Sequence, residues 1–251
     1  MDGKSEVLTD TGTAGTKQHV LDRVVAASLE GQHARFARRH GRALRYENDV
    51  APFFAIEDEH DPAAWADVAE LIDGDEVAVF PGISAWPSEW NLVADIAGVQ
   101  MVGAGVVPKA DAEAVRLGPD DVPEMLDLIA RTEPGPFRER TVELGTYLGI
   151  RRDGALIAMA GERMQPPGWT EISAVCTDPA VRGEGLASRL ILAVAHGIRE
   201  RGETPFLHTG AGNTSAIRLY ESLGFRLRRT TAFLAARAPE HLTQARSVGV
   251  S

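Results

Sequence analysis

The amino-acid sequence predicts an α/β protein, of the α+β kind, built as two units. Three observations carry that reading. Residues 170–201 run as a short apolar strand, a glycine-rich turn and an amphipathic helix. An Asp153-Gly154 pair separates two strand-length segments, one of the strongest short hairpin signals. Strand-like and helix-like segments also alternate on both sides of a stretch at 103–114 that is rich in Gly, Ala and Pro. The expected organisation is a disordered tail at 1–17, an N-terminal α/β domain at 18–107, a linker at 108–114, a second domain at 115–238 and a loose tail at 239–251. A chain of 251 residues has room for one or two domains at the usual ~100–200 residues each.

Taken in order, residues 19–39 read as a helix with Leu21, Val24, Val25, Leu29 and Phe36 as its buried side. Residues 51–56 read as a strand. Asp61 suits an N-cap and Pro62 a first helical turn, and Trp65, Val68, Leu71 and Ile72 give the helix that follows an apolar face. A short strand at 76–80 ends in the Pro81-Gly82 turn. The segment 86–107 shows no clear period, and Trp86 and Trp90 fit either a core or a cleft wall. After the linker, 115–117 restart a strand, and Asp120 or Asp121 caps a helix with Val122, Met125, Leu126 and Ile129 on its apolar side. Residues 134–137 are a Pro-Gly-Pro-Phe loop, a lid or merely a connector. A helical turn at 141–144 precedes the hairpin strands at 146–151 and 155–163. Glu162 and Arg163 at the end of that hairpin face either an acceptor site or an ordinary surface. The strand through Glu171 enters the glycine turn. A strand at 206–209, a helix at 213–223 and a strand at 225–235 complete the unit.

The glycine turn is a physical device as well as a connector. Arg182, Gly183, Glu184, Gly185, Leu186, Ala187 and Ser188 lead into a helix whose Leu190, Ile191, Val194 and Ile198 share one face. Arg199, Arg201 and Gly202 supply its stop signals. The first N–H groups of a helix have no partner inside it, and the helix dipole adds partial positive charge there. Glycines without Cβ atoms let a phosphate come close. Residues 182–188 are therefore a candidate pyrophosphate cradle, and equally fit a plain strand-to-helix turn.

Composition narrows the classes. A net charge of −10 argues against a general nucleic-acid or acidic-membrane binder, which needs a basic face. Cys176 is the sole cysteine, so no internal disulfide and no thiolate metal cluster can form, and no metal site is expected. The N-terminal residues lack the apolar core of a secretory signal, and no run reaches the ~18 apolar residues of a membrane span. The expectation is a cytoplasmic protein with neither nucleic acid nor membrane as a partner. A homodimer is left open.

A second stretch decides between the readings. Asn213 is a good N-cap, Gly224 a good residue to follow a helix, and Ala216, Tyr220 and Leu223 lie on one helical face. By itself Tyr220 reads as a core residue. Taken with the glycine turn, residues 115–236 resemble the GNAT (Gcn5-related) N-acetyltransferase superfamily. Its turn pattern Arg/Gln-x-x-Gly-x-Gly/Ala is met by Arg182, Gly185 and Ala187. Its second pattern is met by Asn213, Ala216, Tyr220 and Gly224-Phe225. The N-terminal half resembles, in layout alone, the extra domain of the FR47-like branch, a degenerate half of the same fold. The resemblance implies a GNAT fold: a mixed central sheet flanked by helices, with an additional N-terminal α/β domain.

The same resemblance implies acetyl-CoA as cosubstrate and a small-molecule or peptide amine as acceptor. Val175, Cys176 and Thr177 would offer backbone groups to the pantetheine arm. The turn amides from Arg182 to Ala187 would hold the pyrophosphate, Asn213 would contact the cofactor, and Tyr220 would protonate the leaving thiolate. For the general base, Glu171 stands where one branch places a glutamate. His208 lies on the next strand, five residues before Asn213, and the third option is no dedicated base. The plain readings are a carboxylate paired with an Arg for Glu171 and a structural histidine for His208. Cys176 fits a core or backbone-contact role better than a nucleophile. The alternatives kept open are another acyl-CoA or a non-amine acceptor, a non-catalytic acyl-CoA-binding or interaction module, and a dinucleotide-dependent oxidoreductase.

Overall fold

The computed structural model describes residues 19–244. Its centre is an eight-stranded sheet in the order β4-β11-β5-β10-β9-β8-β7-β6. The strands are β4 (Ala78–Pro81), β5 (Asn91–Val102), β6 (Val115–Leu117), β7 (Tyr147–Arg152), β8 (Ala155–Glu162), β9 (Trp169–Thr177), β10 (Thr204–Gly210) and β11 (Arg226–Arg237). All neighbours are antiparallel except β9 and β10, so the sheet is mixed. A small antiparallel sheet, β1 (Ala37–His40), β2 (Ala43–Tyr46) and β3 (Phe54–Ile56), abuts it, and Phe53 bridges to Val79 of β4.

Two helices cover opposite faces of the large sheet. α4 (Leu186–Glu200) buries Leu190, Ile191, Val194 and Ile198 against Ile150, Ala158, Ala160 and Ile172. α3 (Val122–Thr132) buries Met125 and Leu128 against Tyr147, Met159 and Cys176. The alternation of Ala158, Met159 and Ala160 between these cores follows from the two-residue period of a strand. α5 (Thr214–Ser222) adds Tyr220 to the α4 side. α1 (Val24–Leu29) and α2 (Pro62–Ala69) pack on the small sheet. Asp61 accepts from the Ala63 amide as the N-cap of α2, as its position predicts.

The N-terminal half departs from the sequence reading in three places. Residues 19–39 are not one helix: α1 stops at Leu29, a turn follows through Gly31, and 37–40 pair as β1. The predicted buried residues are nonetheless buried, because an apolar set can share one side of a turn-rich segment without a continuous helix. The strand expected at 51–56 is confined to Phe54–Ile56. The unclear segment 86–107 contains the long strand β5, which lies between β10 and β11. Its first seven residues are mostly exposed and show no alternation, so the signal is absent from the sequence, and pairing with β11 along its whole length supplies the stability. Trp90 is core, 5.0 Å from Trp65 by ring centroids.

The linker expected at 108–114 divides the chain but not the sheet, which takes β4 and β5 from before it and β6 to β11 after it. The expected tail at 1–17 lies outside the described residues. Within the expected tail at 239–251, Glu240–Gln244 form a short helix, α6, and residues beyond 244 lie outside the description.

Candidate active site

The glycine turn is a row of unpaired amides. Asp178 caps the 3-10 turn Pro179–Val181 through the Ala180 amide, 2.8 Å away. The chain then extends through Arg182 and reverses with Gly183 at φ +91° and Gly185 at φ +76°. Those angles exclude ordinary side chains at little cost only for glycine. A Cβ on either residue meets no atom within 4 Å, so the need is conformational and the turn faces open space. Gly185 is the N-cap of α4 and offers no side-chain cap. Among the described residues, the amides of residues 183–188 make no backbone hydrogen bond. They sit together at the positive end of a 15-residue helix. Arg182 is exposed and donates from Nε to the Thr177 carbonyl, 3.3 Å away. Leu186 is buried beneath the turn. Glu184 turns its side chain away, to Arg152 at 2.6 Å.

The turn opens onto a cleft of about 1030 Å³ between β9 and β10. The two strands pair only from Thr204↔Trp169 to Phe206↔Glu171. Beyond that, β10 continues along β5 to Gly210 and β9 along β8 to Thr177, and the gap widens. A bulge helps. Ser173 faces Gly161 and Cys176 faces Met159, so Ala174 and Val175 together oppose Ala160. Ala174 takes φ +51°, a left-handed conformation rare for a residue with a side chain. The extra residue reverses the side-chain phase: Ile172 packs under α4, whereas Cys176 packs under α3.

Val175, Cys176, Thr177, Arg182, Gly183, Gly185, Leu186, Ala187, Ser188, Asn213 and Tyr220 all line this cleft; Glu184 does not. Asn213 caps α5, its Oδ1 accepting from the Ala216 amide at 3.2 Å. Tyr220 is 8% exposed, and burial pushes its hydroxyl up to about 12. Burial likewise pushes the Cys176 thiol up to about 11, which keeps it protonated and unreactive at neutral pH. The Thr177 hydroxyl oxygen is buried with no partner at the open end of β9.

The two base candidates are held in a buried polar chain. Glu171 is fully buried and outside the cleft lining. Its Oε2 and Oε1 accept from Nε and Nη2 of Arg163, each at 2.8 Å, and Oε1 also lies 2.7 Å from His208 Nδ1. Burial pushes the Glu171 carboxyl up, but the Arg163 guanidinium and the His208 bond outweigh it and hold the group well below the usual carboxylate range. Both carboxylate oxygens are occupied within the fold, the Arg-paired arrangement that is one of the two readings of this residue. His208 lines the cleft, yet its Nε2 lies 2.9 Å from Gln100 Nε2. Gln100 accepts from Arg228 at Oε1 and donates to the Leu21 carbonyl, so its Nε2 is the amide nitrogen and donates to His208. His208 Nδ1 therefore carries the proton given to Glu171, and both ring nitrogens are in use.

Arg163 also lines the cleft, whereas Glu162 bonds Arg201 and the Thr146 amide inside the fold. The loop 134–136 borders the cleft, and Phe137 is buried on Tyr147. Sequence reasoning missed Phe53, Val79, Ile96 and Phe233, which wall the end of the cleft away from the glycine turn. They lie far apart in the chain, and no local pattern joins them. No group of three or more His, Cys, Asp or Glu among the described residues is placed to hold a metal ion. No described helix is long and apolar enough to cross a membrane.

The family model described as FR47-like protein matches residues 147–234. A crystal structure from Novosphingobium aromaticivorans, assigned to the GNAT family, is 44% identical and superposes with a TM-score of 0.80, covering 88% of this chain and 100% of that one. A mycothiol acetyltransferase of Thermomonospora curvata is 40% identical over 82 residues, 32% of this chain. The N-alpha-acetyltransferase RimI of Mycobacterium tuberculosis is 33% identical over 96 residues, 37% of this chain and 60% of that one. The chain spans only 27% of the length of that mycothiol acetyltransferase. Near-complete mutual coverage by the Novosphingobium structure settles the membership: this chain belongs to the GNAT family of acetyltransferases.

Proposed function

We propose that the protein is an acetyl-CoA-dependent N-acetyltransferase that acylates an amine by direct attack. The observation that carries this reading is the row of unpartnered amides at 183–188, set at the mouth of a cleft that opens between two parallel strands. The fit to a diphosphate is good. The amides converge at a helix N-terminus, and nothing crowds the two glycines. Bound acetyl-CoA supplies a thioester whose acetyl carbon the amine attacks, the C–N bond forming as the C–S bond breaks.

The chain's own groups then have separate tasks. Residues 183–188 grip the diphosphate. Backbone groups of Val175, Cys176 and Thr177 on the side where β9 splays from β10 align the pantetheine arm. Tyr220 stays protonated because burial raises it, and it gives its proton to the departing sulfur. Asn213 shapes the same wall by capping α5. Glu171 and His208 hold Arg163 and the cleft floor in place, and the proton of an ammonium acceptor leaves to water in the cleft. The names of the mycothiol relatives do not carry their acceptor across, since the match covers about a quarter of their length.

Thiol release from acetyl-CoA across an amine panel tests this directly. Turnover with at least one amine, and a rise in Tm with acetyl-CoA but not with NAD, are the expected results. A Tm rise without thiol release would favour a binding module, and a Tm rise with NAD alone would favour an oxidoreductase.

A further inference from the structure

The acceptor end of the cleft has a chemistry of its own. Its walls are apolar: Phe53, Val79 and Ile96 from the N-terminal half, and Phe233 and Ala235 from β11. Ile96 is 53% exposed at the rim. Among the described residues lining the cleft, Glu133 is the one carboxylate, on the loop after α3. Arg131, at the end of α3, pairs with Asp178 just beyond β9, which puts Glu133 by the Thr177 end. The walls opposite therefore offer no acidic side chain for a second ammonium.

They do offer a cation. Arg163 is 8% exposed and lines the cleft. The edge formed by Nε and Nη2 is fixed by Glu171, and the ring of Phe53 covers one face, with Cζ 4.9 Å from its centroid. Among the described residues the side-chain hydrogen bonds of Arg163 run from Nε and Nη2 to Glu171, which leaves Nη1 uncommitted. A guanidinium carries five donors in a plane, so its remaining donors form a second edge suited to a carboxylate. Phe53 and Glu171 restrict its movement, and this lowers the entropy lost when a ligand binds.

We propose that the acceptor is a small zwitterion, an amine that also carries a carboxylate and an apolar side group. The carboxylate meets the outer edge of Arg163 and the side group lies on Phe53, Val79, Ile96 and Phe233. This rests on the acetyltransferase reading above. A polyamine or lysine-rich peptide is disfavoured, because its extra charge would sit unpaired against an apolar wall.

Steady-state thiol release at saturating acetyl-CoA tests it with phenylalanine and leucine, their decarboxylated amines phenethylamine and isoamylamine, and spermidine. The amino acids are expected to exceed their decarboxylated partners in kcat/KM by about 10- to 100-fold, the range of a charge-assisted hydrogen bond, with spermidine lowest. Arg163→Lys keeps a charge beside Glu171 but lacks the second edge, and should bring the ratio down to within about threefold. Should that variant fail to fold, Ile96→Glu at the exposed rim provides the second reading. It should lower kcat/KM for the amino acids more than for the amines, by like-charge repulsion, and so bring the ratio down. Equal or better use of the decarboxylated amines or spermidine overturns the inference, as does an unchanged ratio in both variants. Absence of turnover with the amino acids also overturns it. If acetyl-CoA still raises Tm in that case, only the acceptor class falls; if it does not, the acetyltransferase reading falls with it.

Discussion

Phe206 faces Glu171 at the last rung of the parallel ladder between β9 and β10. Past that rung each strand follows a different neighbour, and the gap between them is the cleft. The rung is also where the buried charges gather: Glu171 binds Arg163 behind the floor, and His208, two residues after Phe206, closes the chain to Gln100. The opening of the sheet and the polar anchor that props it are thus one local structure.

The conformational demand at Gly185 is severe. A β-branched side chain at φ +76° costs on the order of 1–2 kcal/mol and shifts the amides that follow. Gly185→Val should raise the Kd for acetyl-CoA at least about tenfold by calorimetry. An unchanged Kd would remove the amide cradle from the mechanism.

For Tyr220 the expected signature is a split between rate and binding. Tyr220→Phe should lower kcat by about 100-fold, the low end of the range for general acid catalysis, and leave acetyl-CoA affinity unaltered. Because burial raises the hydroxyl to about 12, its acid form persists through the ordinary assay range. Wild-type kcat should show no alkaline fall below about pH 11 from this group.

The proposed mechanism passes the acceptor's proton to water and assigns no side-chain base to the acid limb of the rate profile. Log kcat/KM should rise with pH until the acceptor's own ammonium is titrated, and the midpoint should move with the acceptor's pKa across a series of amines. A midpoint that stays fixed for all acceptors would restore a side-chain base.

Acid should unfold this protein through two identified groups. Burial pulls His33 down to about 4 from an ordinary 6.5, so the unfolded chain takes up its proton first and stability falls as pH drops across that window. The loss from this group is about 3 kcal/mol at most. Glu171 is depressed in the fold, so its contribution is complete above its ordinary value of 4.5 and lost as pH falls further. Urea titrations from pH 7 to 4 should show this decline, and His33→Gln should flatten the part between 6.5 and 4. A parallel slope in the variant would place the lability elsewhere.

Breaking the ion pair inside the N-terminal half should be costly. Arg45 is fully buried, with Glu76 at 2.6 Å and the Leu71 carbonyl at 2.7 Å. Glu76→Ala leaves that buried guanidinium only the longer contact to the half-exposed Asp73, 3.6 Å away, and should cost about 3 kcal/mol in urea unfolding. A change below 1 kcal/mol, on the order of a surface pair, would show the guanidinium reaching water instead.

What the sequence determined by itself is local in origin. The hairpin at Asp153-Gly154, the caps at Asp61 and Asn213, the positive-φ glycines at 183 and 185 and the buried stripe of α4 each rest on residues within a turn or two of one another. Backbone sterics and capping act over that range, so residue order alone specifies them. What tertiary structure decided joins distant segments. β5 lies between β10 and β11 although little in its own residues marks it as a strand. Glu171 is bound by Arg163 and His208, and His208 takes its tautomer from Gln100, 108 residues away. Phe53 and Ile96 reach the cleft from the other half of the chain. Such features depend on which groups are desolvated together, and burial is a property of the assembled fold rather than of any stretch within it.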